Sequence, residues 1–322
     1  MDSWTTQLTR KLERGTLLPP WTSGLEALWS SIVAPRRVVR PLRIAPGVRV
    51  VGVGGTTLGG SGKTPVAIAC SMALAEQGLP VVFVGHAVGA SPGPPRIVRG
   101  DEPVEQVGDE ALVASRALRG TQALVVVART RQDAFDHAVS RGQVLVLDGV
   151  LQTTPRRVDV ALLAVDPSEP WGARRMPPCG DLVAPPKALL EASDAVVVVD
   201  SESHGAWSDR VLKSWGQLRE LAVGLLTSMA RPDRVLASLQ AQGVFPRAVV
   251  SAADHRAPGP ALSRRAARLA NRFCLDVWLA TAKCATHWGP VAPAAIPLLV
   301  IDHRVVLPHA LVAFIVAACR KP

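Results

Sequence analysis

The residues best placed to do chemistry are three glycines, a lysine and a threonine that follow an apolar run. Residues 57 to 65 read Thr57-Leu58-Gly59-Gly60-Ser61-Gly62-Lys63-Thr64-Pro65, directly after Val48-Arg49-Val50-Val51-Gly52-Val53. The order is a strand, a glycine-rich loop and a helix-like stretch from Val66 to Glu76. Gly59, Gly60 and Gly62 let the backbone bend, so that successive N–H groups face phosphate oxygens. The following helix adds its positive N-terminal end. Lys63 supplies a mobile charge for outer phosphates, and the Thr64 hydroxyl suits a Mg2+ ligand. Thr57 stands where the strict G-x-x-x-x-G-K-[ST] pattern has its first glycine. The bland alternative is a glycine-rich turn with a chance Lys-Thr pair; the flanking strand and helix favour a phosphate cradle for a nucleoside triphosphate.

Other groups stand at element ends. Asp148 closes the apolar run Val144-Leu145-Val146-Leu147. An acid there orients Mg2+ or its water shell in phosphate-loop proteins, although a strand-end Asp also caps turns. Gly108-Asp109-Glu110 precedes a helix. Its spacing alone reads as a cap with first-turn acids; the chemical reading is a carboxylate base facing the γ-phosphate. Asp254-His255 follows the run Ala248–Val250, and Asp254 could orient the imidazole for proton transfer. The other histidines form no metal-ligand spacing.

The elements that must position these groups alternate. Apolar runs fall at 79–84, 123–128, 144–147 and 160–165, with helical patterns at 109–119 and 131–140 between them. Continuous apolar strands alternating with amphipathic helices predict a parallel sheet covered on both faces, with ligands at the strands' carboxyl ends. A Pro/Gly-rich stretch, 167–187, reads as a connection. A second series follows: strand 195–199, helix 208–218, strand 221–226, helix 232–242, strand 248–250, helix 261–273, strands 276–280 and 297–301, and a terminal helix near 308–319. The expected organisation is an N-terminal helical segment 1–45, a nucleotide-binding domain 46–166, a linker 167–194 and a second lobe 195–322.

Composition sets the limits. The chain has 322 residues, 48% hydrophobic and 4% aromatic, with no tyrosine, so its cores must be aliphatic. The net charge of +10 favours anionic partners. No basic patch is interleaved with aromatics as in single-strand binders, and no nucleic-acid partner is expected. Five cysteines without a C-x-x-C argue for reduced thiols in a cytosolic compartment. Neither a secretory signal nor a run of membrane-spanning length is expected. Trp4, Trp21, Trp29, Leu17, Leu18, Leu25, Leu28, Ile32 and Val33 precede Arg36, Arg37, Arg40 and Arg43. This segment reads equally as an interfacial helix on an anionic membrane or as a helix packed on the first domain.

With these residues placed, the chain resembles the tetraacyldisaccharide 4'-kinases, the lipid A 4'-kinases of Gram-negative bacteria. The loop Gly59-Gly60-Ser61-Gly62-Lys63-Thr64-Pro65 matches their G-G-x-G-K-T-P, which lacks the first glycine. Val107-Gly108-Asp109-Glu110, Arg129-Thr130-Arg131, Leu147-Asp148, Gln152, Ala230-Arg231-Pro232, Asp254-His255 and Thr281-Ala282-Lys283 fall on further motifs. The resemblance implies two α/β/α lobes: a P-loop NTPase-like parallel sheet with helices on both faces, and a smaller second lobe. It implies ATP-dependent phosphorylation of the 4'-hydroxyl of an acylated disaccharide 1-phosphate, giving lipid IVA, with Mg2+, at the cytoplasmic face of the bacterial inner membrane. By position, Thr57 to Thr64 hold the nucleotide, Thr64 and Asp148 the metal, Asp109 and His255 form an acid–base pair beside Asp254, and Arg131 serves anionic groups.

The chain also departs from the family's pattern. Gly149, Val150 and Thr153 replace an acid, a glycine and a histidine of the D-D-G-[FL]-Q-H motif. Gly85-His86-Ala87-Val88-Gly89 replaces S-R-G-Y-G, and Cys284 replaces the acid of T-x-K-D. Two other readings remain at this level: a degenerate relative that binds nucleotide or lipid without efficient transfer, and a P-loop ATPase of the partitioning type. Leu58 stands where that last group has its signature lysine.

Overall fold

Side chains along the central strands point alternately into two apolar cores, and this alternation builds the first unit. In β2 (Arg49–Gly55), Val51 and Val53 enter one core while Val50 enters the other. In β8 (Val160–Val165), Val160, Leu162 and Ala164 face the first core, and Ala161, Leu163 and Val165 the second. A strand apolar at every position is stable only with both faces covered, as the sequence predicts. The computed structural model describes residues 22–87, 90–199, 201–208, 211–229, 232–253, 257–292 and 296–320. These residues form two units, one of those within 22–199 together with 305–320 and one of those within 201–304.

In the first unit α1 (Thr22–Leu28) continues through a π-helical turn, Trp29–Val33, into α2 (Ala34–Val38) and β1 (Val39–Pro41). After β2 come α3 (Lys63–Glu76), β3 (Val81–Val84), β4 (Arg96–Ile97), α4 (Asp109–Ala117), β5 (Leu124–Val127) and α5 (Arg131–Val139). β6 (Val144–Asp148), β7 (Gln152–Thr154), β8, α6 (Pro186–Glu191) and β9 (Ala195–Val198) complete it. The seven-stranded sheet has the order β4-β5-β3-β6-β2-β8-β9, parallel except for β4. Helices α3 and α4 cover one face; α2, α5 and α6 cover the other. The terminal helix His309–Arg320 buries Ile315, Val316 and Cys319 in the core of α3. The sequence grouped this helix with the second lobe, because nothing local reveals which core receives an apolar face.

Two long-range pairings went unforeseen. β1 pairs in parallel with β7, setting Arg40 opposite Thr153. The Pro/Gly-rich connection lies along the glycine loop: Thr57 bridges to Leu182, the Leu58 N–H donates to the Asp181 carbonyl (2.8 Å) and the Val183 N–H to the Thr56 carbonyl (2.9 Å). The same connection takes the indole N–H of Trp29 on the Val183 carbonyl (3.2 Å) and ties Arg175 Nε to Glu26 (2.9 Å).

The second unit is a six-stranded sheet of β10 (Gly205–Ser208), β11 (Val211–Ser214), β12 (Val223–Thr227), β13 (Ala248–Ser251), β14 (Val277–Ala280) and β15 (Leu298–Ile301). Its order is β11-β10-β15-β14-β12-β13, with an antiparallel hairpin at one edge. The helix expected over 208–218 is a correction. Val211–Ser214 is strand, and only Trp215–Arg219 is helical, started by a capping box of Ser214 and Gln217. Pairing with β10 outweighs the local helical spacing.

Candidate phosphate-transfer site

Strand β2 delivers the chain into the glycine loop, and α3 begins at Lys63. The turn needs glycine at Gly62 for two reasons: its φ is +79°, and a Cβ there would stand 2.5 Å from Val199. Lys63 Nζ lies back over the loop, 3.4 Å from the Thr57 carbonyl and 3.3 Å from Ser61 Oγ. The Thr57 hydroxyl donates to the Gly59 carbonyl (2.7 Å), closing the loop where the missing first glycine would stand. Leu58 is exposed and Ser61 is buried.

Beside the loop, β6 pairs with β2 in register, with Val53 opposite Asp148. The Thr64 hydroxyl therefore reaches Asp148 and donates to Oδ2 at 2.7 Å. Asp148 is buried, and its Oδ1 has no hydrogen-bond partner among the described residues. Burial raises its pKa well above the usual carboxylate range and nearby Glu110 adds to this; Thr64, Lys63 and Arg131 oppose them. A buried carboxylate oxygen awaiting a partner, beside a threonine hydroxyl, is a donor set of hard oxygens that fits Mg2+.

Arg131 heads α5, and its Nη1 donates to the Asp148 carbonyl at 2.6 Å. Burial is the first cause that lowers its pKa, to about 10. Its Nη2 would stand 3.0 Å from a Cβ on Gly149, whose φ is +71°. Arginine thus takes the space over the position where the resembled motif carries its second acid.

Asp109 is the first residue of α4 and is 2% exposed. Its Oδ1 accepts the Glu110 N–H at 2.9 Å, so it serves the helix start while being buried, which a plain solvent cap is not. Asp254 and His255 lie outside the described residues, as do Ala230 and Arg231. Thr281 caps the helix Ala282–Trp288, and the Cys284 sulfur, standing for an acid of the motif, accepts the Ser228 N–H at 3.1 Å.

The structure brings Thr57 to Thr64, Asp148 and Arg131 together at the strands' carboxyl ends. It adds two residues the motifs did not assign, Arg40 and His86. His86 follows β3, whose neighbours β5 and β6 lead to Arg131 and Asp148. Arg40 enters through the β1–β7 pair, a contact that no local pattern announces.

A family model described as tetraacyldisaccharide-1-P 4'-kinase (LpxK) matches residues 21–320. The chain belongs to that family. Among curated tetraacyldisaccharide 4'-kinases, that of Methylobacterium sp. (strain 4-46) is 34% identical over 242 residues, 70% of this chain and 71% of the relative. That of Methylobacterium nodulans is 31% identical over 304 residues, 86% of this chain and 88% of the relative. The crystal structure of LpxK from Aquifex aeolicus in complex with ATP superposes with a TM-score of 0.67 at 18% identity, over 92% of this chain and 98% of that one. That likeness supports the α/β fold and the P-loop architecture.

Proposed function

We propose that this kinase transfers the γ-phosphoryl group of ATP to the 4'-hydroxyl of an acylated disaccharide 1-phosphate, giving lipid IVA. The observation that carries the reading is the Thr64–Asp148 hydrogen bond beneath a phosphate loop of the family's form. Lys63, lifted from its loop carbonyls, would gather the β- and γ-phosphates. Thr64 and Asp148 would hold Mg2+, whose charge offsets that on the phosphate oxygens. Asp109, buried at the head of α4, would accept the hydroxyl proton as the acceptor oxygen bonds to the γ-phosphorus and the bond to ADP breaks. His255 and Asp254 would complete the acid–base pair. The assay is incubation with ATP, Mg2+ and a tetraacyldisaccharide 1-phosphate, followed by mass analysis. One added phosphoryl group supports the reading; ATP binding without that product supports the degenerate relative, for which Arg131 over Gly149 is the motivating observation.

The acceptor's acyl chains stay in a bilayer, so the enzyme must work at its surface, which we place at the cytoplasmic face of the bacterial inner membrane. Leu25, Leu28 and Ile32 are 44%, 53% and 49% exposed on one side of the N-terminal helix, while Trp29 turns inward to Val183. Trp4, Trp21, Leu17 and Leu18 lie outside the described residues. Replacing Leu25, Leu28 and Ile32 together by serine leaves the core untouched and should reduce flotation with anionic vesicles. Undiminished flotation would remove this face from membrane contact. Raised salt should also weaken flotation, since each exposed basic residue near the surface adds about 1 kcal/mol and is screened.

A further inference from the structure

A concave pocket of about 350 Å³ opens where β4, β5 and the end of α4 meet. Leu124, the first residue of β5, lines it, so the pocket lies at the amino end of that strand, whereas the glycine loop stands at the carboxyl ends of the sheet. Helix α4 runs between the two places, with Asp109 at its head and Leu118 just past its last residue. The apolar lining includes Leu118 and Val125 from the core and the exposed Ile97. Two hydroxyl residues line the pocket, and both are engaged. Ser115 donates to the Val98 carbonyl at 2.9 Å, and Thr121 donates to the Leu118 carbonyl at 2.7 Å. Two exposed arginines, Arg99 and Arg119, complete it. Neither guanidinium has a hydrogen bond or an ion pair among the described residues. A Cβ on Gly100 would stand 3.2 Å from Nη2 of Arg119, which sets that side chain against the turn beginning at Arg99.

Arginines near a helix end often do no more than offset its partial negative charge. Here that charge is already met in part. The Leu118 carbonyl accepts both the N–H (3.1 Å) and the hydroxyl of Thr121, and Arg116 lies in the last turn of α4. What the helix end contributes is about half an elementary charge, against two whole ones on Arg99 and Arg119. Arg99 comes from the β4 side and belongs to no helix end. Glu102 has its two oxygens on the Arg99 and Gly100 N–H groups, at 2.7 and 2.8 Å. A guanidinium offers donors and no acceptor, so a ligand here must bring acceptors, and an oxyanion pairs with both forks. The apolar lining calls for a carbon body, and the volume lies near the small end of the roughly 300–1,000 Å³ usual for ligand pockets. We propose that this pocket binds a small amphiphilic anion, an oxyanion head on a short hydrocarbon chain. Arg99 and Arg119 hold the head, and Ile97, Leu118 and Val125 receive the chain. The site stands apart from the phosphate loop and does not depend on the reaction proposed above.

Titration of the full chain with octanoate and with octyl phosphate tests it, by calorimetry and by Tm. At least one of the two should bind, one molecule per chain, and raise Tm; the tighter one identifies the head as carboxylate or phosphate. Acetate, a head without the chain, should bind more weakly than octanoate by about ten-fold or more, and so should 1-octanol and octyltrimethylammonium, chains without the anion. Arg99→Gln and Arg119→Gln remove exposed side chains and should leave the Tm of the free protein unchanged. Each should weaken binding of the octyl anion about ten-fold, the loss expected for one charge-assisted contact. Saturating ATP with Mg2+ should not displace the ligand. Absence of binding by both octyl anions would overturn the site. Equal binding of 1-octanol, or unchanged affinity in both arginine variants, would show adsorption to apolar surface instead. Displacement by ATP would give the anion to the glycine loop and overturn the proposal as well.

Discussion

The hydroxyl of Thr64 and the carboxylate of Asp148 meet at 2.7 Å across 84 positions of sequence, joining the start of α3 to the end of β6. The β2–β6 register makes the contact, since Val53 opposite Asp148 brings the strand end level with the loop. Buried with a raised pKa, Asp148 favours its neutral form when no cation is bound. Native protein then holds a proton that the unfolded chain releases near the ordinary Asp range, so its contribution to stability is lost as pH rises from that range towards neutrality. Asp148→Asn removes the penalty. Measured with a chelator present, the Tm gain of this variant over the parent should be larger at pH 8 than at pH 5. A variant less stable than the parent at pH 8 would contradict the neutral carboxyl.

Lys63→Ala should reduce phosphoryl transfer by about 10²-fold or more, because the charge that gathers the outer phosphates acts in a site built on electrostatics. Steady-state turnover at saturating ATP measures this. Near-normal turnover would leave the loop as a turn and nothing more.

Asp109→Asn keeps shape and the Glu110 N–H contact but cannot accept a proton. The kcat should fall on the order of 10²-fold while ATP affinity holds. His255→Ala should also lower kcat, and the double variant should cost less than the sum if the two act as one unit. Additive losses, or a defect in ATP binding alone, would return Asp109 to the role of a helix-start residue.

Gly149 is the position where adding the family's acid meets resistance. Its φ of +71° disfavours any side chain, and Arg131 stands over it. Gly149→Ala should cost roughly 1–2 kcal/mol of unfolding free energy, the penalty for an L-residue in left-handed backbone. Denaturant midpoints measure it. Gly149→Asp should lower the Mg2+ needed for half-maximal rate only if Arg131 turns aside. An unchanged midpoint in Gly149→Ala would mean that the loop relaxes at no cost.

What was legible in the sequence follows from the range of the interactions. The glycine loop, Asp148 and the strands around them were readable because a phosphate cradle is local: strand, loop and helix are consecutive, and a fully buried strand is apolar throughout. The Arg40–Thr153 pairing and the bridge from Thr57 to Leu182 were not, because each joins segments more than a hundred residues apart through backbone groups that any residue carries. The strand Val211–Ser214, inside the stretch 208–218 whose spacing predicts a helix, was hidden for a related reason. Its residues gain strand geometry from their partner, and Val211 is 66% exposed, so no apolar alternation marks it.

The most direct test of the central claim is the site of the new phosphate. Parent and Asp109→Asn proteins are incubated with γ-labelled ATP, Mg2+ and tetraacyldisaccharide 1-phosphate, and the product is fragmented to locate the label. The account predicts label on the 4'-oxygen of the non-reducing sugar with the parent protein, and little or none with Asp109→Asn. Label at another position, or equal labelling by both proteins, would contradict it.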